Sequence, residues 1–131
     1  MKKAAATKWW VDGFFGLHYD LHASAQDTAL GSALTPEHLR EELAKVAPDF
    51  VQCDCKGHPG YASYPTRVGS PSPGIVRDAL RIHRDVTAEM GIPLSVHYSG
   101  VCDQRAVEIH PDWAALDPKG KPVLPRPNHP P

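Results

Sequence analysis

Imidazole and carboxylate alternate along one short stretch, His18, Asp20 and His22, with Leu17, Tyr19 and Leu21 in the intervening places. Side chains two apart in an extended segment share a face, so one face of such a strand is polar and the other, continued by Phe15, is core. Imidazole and carboxylate can hydrogen-bond the hydroxyls of a polar ligand such as a sugar, and their i, i+2, i+4 spacing also suits a metal-dependent hydrolase. The structural alternative is that His18 and Asp20 satisfy each other or nearby backbone. A second group follows in Cys55-Lys56-Gly57-His58-Pro59-Gly60-Tyr61, where two glycines allow a tight loop that lifts Lys56, His58 and Tyr61. A third is His97 and Tyr98, at the end of an apolar run.

Other chemistries are weakly represented. Cys53, Cys55 and His58 offer thiolate and imidazole, but Cys-x-Cys on a buried strand packs as small apolar residues, and structural zinc usually brings a second ligand pair. Three cysteines give no disulfide framework, and Cys102 has no base partner in the sequence. No phosphate-cradling glycine motif and no nucleophile elbow occurs. No metal and no cofactor is therefore expected. The net charge of −1 gives no basic footprint for nucleic acid or an anionic membrane. No apolar run approaches the roughly 20 residues of a membrane span, and Met1–Lys8 lacks the apolar core of a signal peptide. A cytoplasmic chain of undetermined oligomeric state is the expectation.

The elements that must position these residues are legible from periodicity. Thr35-Pro36 starts a helix over about residues 36–47, with Leu39, Leu43 and Val46 on one stripe and Pro48 as its stop. A second helix is expected over 74–90, with Val76, Ala79, Leu80, His83, Val86, Thr87 and Met90 on one face and Gly91 as its left-handed cap. Strands are expected at about 13–22, 50–56 and 92–98. Strand, helix, strand, helix, strand implies right-handed crossovers and a parallel sheet, doubly wound or closed into a barrel. Helix-to-strand connections are short, whereas Ala23 to Leu34, Lys56 to Pro73 and the stretch from Ser99 onward are long. Both architectures place ligands at the carboxyl ends of strands, where the long loops lie. The Pro-rich stretch 118–131 is expected to be a loop cut short at Pro131.

At Lys56-Gly57-His58-Pro59-Gly60-Tyr61, Tyr64-Pro65-Thr66-Arg67, Arg77-Asp78 and Gly91 to Ser99, the chain resembles α-L-fucosidase-type glycoside hydrolase barrels. It is more similar still to a group of uncharacterised glycosyl hydrolases related to them, in which a His-Pro-Gly loop and a later His-Pro-x-Trp, here His110 to Trp113, recur. The resemblance spans about residues 9–122. It implies residues 1–131 as the amino-terminal part of a (β/α)8, or TIM, barrel, incomplete by itself, acting on a carbohydrate substrate. His58 matches a sugar-contacting histidine, while Gly57 and Pro59 stand where fucosidases carry His and Asp. The strand-one histidine of that family falls on His18 or Asp20. The resemblance also implies a retaining hydrolase whose nucleophile follows a fourth strand. The catalytic carboxylates are therefore expected beyond Pro131, none is assigned within residues 1–131, and this chain alone is expected to be inactive. His18, Asp20, Lys56, His58, Tyr61, His97 and Tyr98 are the expected substrate-binding residues. A non-catalytic carbohydrate-binding or scaffold segment is the alternative.

Overall fold

The computed structural model describes residues 8–123. The segment before Lys8 lies outside them, as does most of the Pro-rich stretch through Pro131, so the reading of that stretch as a loop cut short at Pro131 falls outside the described residues. Three parallel strands form the frame: β1 (Gly16–Tyr19), β2 (Phe50–Lys56) and β5 (Leu94–Tyr98), with β2 in the middle. The register sets His18 beside Gln52 and Gln52 beside Ser95, then Asp54 beside His97. Two helices make the crossovers, α2 (Pro36–Val46) and α3 (Ala79–Met90). Leu39, Leu43, Val51 and Val86 form the buried core, and Leu17, Tyr19, Ile82, Met90 and Leu94 pack against it. The apolar face of the sheet is thus covered by helices, as the alternation in β1 predicts.

The helix ends follow the chemistry of their residues. Thr35 Oγ1 accepts from the His38 amide at 3.1 Å, Pro36 opens α2, and Ala47 closes it with a φ of 49°. Arg40 reaches Glu89 at 2.8 Å and ties α2 to α3 on the outside. Gly91 caps α3 in the left-handed region at φ 70°.

Several boundaries differ from the sequence reading. The second helix begins at Ala79, not near residue 74, because the Asp78 side chain caps the Arg81 amide. Gly74 instead sits against the backbone of Asp27 and Thr28, with Leu30 bridged to Ile75, and Val76 is exposed outside the helix. The first strand covers Gly16–Tyr19 rather than 13–22: Asp49 takes the Phe14 and Phe15 amides at 2.9 and 2.8 Å, and only four residues find partners on β2. The third parallel strand begins at Leu94, after Pro93 has placed its carbonyl on the Val51 amide. The long loop after β2 carries two two-residue strands, β3 (Tyr61–Ala62), antiparallel to β2 at Lys56, and β4 (Ser70–Pro71), parallel to β3. Segments this short have no periodicity to read. Helix α1 (Trp9–Asp12), helix α4 (Gln104–Ile109) and a 3-10 turn over Pro111–Trp113 complete the elements. In α1, Trp9 stacks near Phe50, whose ring also lies over Gly16, where a side chain would collide with it.

Candidate functional site

The polar face of the sheet converges on one carboxylate. Asp54 is fully buried, two residues before the carboxyl end of β2. His97 Nδ1 donates to its Oδ1 at 2.8 Å, His18 Nε2 lies 3.6 Å from Oδ1, and His22 Nδ1 lies 3.6 Å from Oδ2. Its Oδ2 has no hydrogen-bond partner. Asp20, just after β1, accepts from the His22 amide at 3.2 Å and from the His22 ring. Desolvation pushes the Asp20 carboxyl up, but the His22 hydrogen bonds and charge outweigh it and hold the group below the usual carboxylate range. His18, Asp20 and His97, expected from the sequence, are therefore together. Asp54, which organises them, is not among the residues the sequence pattern marks.

Hydrogen bonds define the proton positions on two of the rings. The Gln52 side-chain oxygen faces His18 Nδ1 at 2.9 Å. A carbonyl oxygen only accepts, so Nδ1 is the donor and, in the neutral imidazole, Nε2 carries the lone pair. Ser99 Oγ donates its one proton to the Cys102 carbonyl at 2.8 Å, so the His58 Nδ1 beside it, also at 2.8 Å, is a donor and His58 Nε2 an acceptor. The His58 ring lies 5.8 Å from the His22 ring, joining the loop after β2 to the Asp54 cluster. Gly57 makes this approach feasible, since any side chain there would run into the His22 ring.

Lys56, Tyr98 and Tyr61 are placed differently. Lys56 is 5% exposed, and its ammonium donates to the Ser99 carbonyl at 2.7 Å and to Asp103 Oδ2 at 2.5 Å, while lying 4.5 Å from the centre of the Tyr98 ring. Lys56 thereby pins the turn after β5, and Asp103 also caps α4 through the Ala106 amide at 2.8 Å. Tyr61 stands apart, lining a cleft of about 260 Å³ with Ser24, Gln26, Pro59, Gln104 and Glu108. None of His18, Asp20, Asp54 and His97 lines that cleft.

Two of the cysteines belong to packing, and Cys102 is exposed. Cys53 and Cys55 are buried on the opposite face from Asp54, and burial, with the Asp54 and Cys55 charges adding to it, pushes the Cys53 thiol up to about 12. A thiol that holds its proton this firmly is a poor metal ligand or nucleophile. Among the described residues the grouping with metal-ligand spacing is instead His18, Asp20 and Asp54, whose donor atoms lie within 4.8 Å of one another.

No protein-family model matches the chain, and no curated protein matches it. Among solved structures it is similar to alpha-L-fucosidase isoenzyme 2 from Paenibacillus thiaminolyticus, with a TM-score of 0.74 at 20% identity. The match covers 82% of this chain and 16% of that one. The likeness is one of fold: a mixed α/β segment with a mostly parallel sheet, of the kind present in that enzyme. Among the described residues, no helix is long and apolar enough to cross a membrane.

Proposed function

We propose that this chain supplies the sugar-contacting part of a glycoside hydrolase of the fucosidase-like barrel type. The observation that carries the reading is the buried Asp54 ringed by His18, His22 and His97, beside His58, at the carboxyl ends of adjacent parallel strands. Ligands of parallel α/β folds bind at that end. The His58 Nε2 lone pair accepts hydroxyl protons, the His18 Nε2 lone pair and the exposed Asp20 carboxylate accept others when no cation holds them, and the exposed Tyr98 ring offers a flat apolar face to a pyranose. Lys56 holds the β5 turn in position, and Tyr61 extends the surface toward the neighbouring cleft.

Barrel closure in a longer parent is part of the same proposal. In the described residues β1 and β5 each pair with β2 and leave their other edges open, and a closed barrel satisfies such edges. The polar face also differs from the near-continuous apolar runs of a sheet buried on both sides by helices. Retaining hydrolysis requires two carboxyl groups about 5–5.5 Å apart across the scissile bond. That pair is assigned to the part of the parent beyond Pro131, and this chain to binding.

Saturation-transfer NMR with a panel of methyl pyranosides, including methyl α-L-fucoside, tests the binding. The wild-type chain is expected to saturate at least one sugar, and His97→Ala to lose the effect. Added p-nitrophenyl glycosides should show no turnover above a His58→Ala control. Turnover above it would assign catalysis to this chain, and no transfer to any sugar would remove the binding site.

A further inference from the structure

We propose that His18, Asp20 and Asp54 form a binding site for one divalent transition cation of the zinc and manganese class. The proposal departs from the expectation of a metal-free chain and needs no sugar. Three independent features point to it. First, the donor atoms of the three residues lie within 4.8 Å of one another. His18 Nε2 is 3.6 Å from Asp54 Oδ1, and two ligand atoms each about 2.0–2.2 Å from a shared tetrahedral zinc stand roughly 3.3–3.6 Å apart.

Second, Asp54 is 0% exposed and its Oδ2 makes no hydrogen bond, the His22 ring nitrogen standing 3.6 Å away. A buried carboxylate oxygen without a hydrogen bond bears an uncompensated desolvation penalty, and Asp20 brings a second carboxylate beside it. A cation compensates both charges. Third, the histidines are oriented as metal ligands and their supports usually are. Gln52 holds the proton of His18 on Nδ1 and turns the Nε2 lone pair inward, His97 steadies Asp54 through Oδ1, and the His22 ring steadies Asp20. An imidazole with two carboxylates is a borderline donor set, which favours zinc or manganese over calcium or magnesium. His18 and Asp20 are 46% and 56% exposed, so an ion reaches the site from solvent.

The test is titration of the chelator-treated full chain with ZnCl2, MnCl2 and CoCl2, without sugar. One ion per chain is expected from calorimetry, and the cobalt spectrum should show nitrogen and oxygen ligation without a thiolate charge-transfer band. Asp54→Asn should weaken binding at least 100-fold. Asp20→Asn, at an exposed position that leaves the fold intact, should weaken it at least 10-fold. Absence of stoichiometric binding, a thiolate band, or an unchanged affinity in Asp20→Asn would overturn the proposal. A sugar site that fails its own test leaves these outcomes unaffected.

Discussion

Lys56 is a charge taken out of water and answered by one carboxylate, Asp103. Removing one partner of such a pair strands the other, which is costlier than replacing both. Asp103→Ala also deletes the α4 cap. The expected loss is about 3 kcal/mol in urea unfolding, below the sum of a fully buried pair and a cap because Asp103 is 26% exposed. A loss under about 1 kcal/mol would place the pair among surface salt bridges. His83 gives a pH dependence. It is buried in α3, its Nδ1 bonded to the Ala79 carbonyl at 2.8 Å and its Nε2 without a partner. Desolvation lowers its pKa in the folded state. The unfolded chain therefore binds the proton first, and stability falls as pH drops below about 6.5 toward the folded value. His83→Leu should flatten the decline in Tm between pH 7.5 and 5.5, and an undiminished slope would assign the decline to other groups. At this scale the sequence pointed to His18 and Asp20 through strand alternation, to His58 through a glycine-bracketed loop, and to His97 through its place at a strand end. It concealed Asp54, because the flanking cysteines marked the strand as core. Gln52, Asp54 and Lys56 at a period of two were the signal that a polar face shared it.

The elements owe their stability to apolar faces and caps. Leu43 is fully buried in α2 against Val51 and Val86, so Leu43→Ala should cost about 2–5 kcal/mol by urea titration. Thr35→Ala, which deletes the α2 cap while leaving packing intact, should cost about 1 kcal/mol. Equal losses for the two would mean that the core relaxes around the cavity. Helix α2 and strand β2 were legible to within a residue, since capping, stripe and stop all coincide there. Helix α3 was not, because the break at Pro71-Ser72-Pro73 has the look of a start. Gly74 is held against the 27–28 backbone instead, and the cap belongs to Asp78. Helix α4 depends on a tertiary partner as much as on its own residues, because Asp103 is positioned by Lys56 as well as capping Ala106.

At the scale of the whole molecule, the parallel frame was readable from the alternation of elements, while the convergence of His18, His22 and His97 on Asp54 depended on register, which sequence pattern does not supply. That convergence is the basis for the proposed carbohydrate binding at this end of the strands. The most direct test is an NMR titration of the histidine ring resonances with the same panel of methyl pyranosides, methyl α-L-fucoside among them. Saturable shifts are expected at His18, His58 and His97 with at least one sugar, with His83 and His110 unmoved. Shifts absent at all three with every sugar, or centred on His110, would contradict the proposed binding.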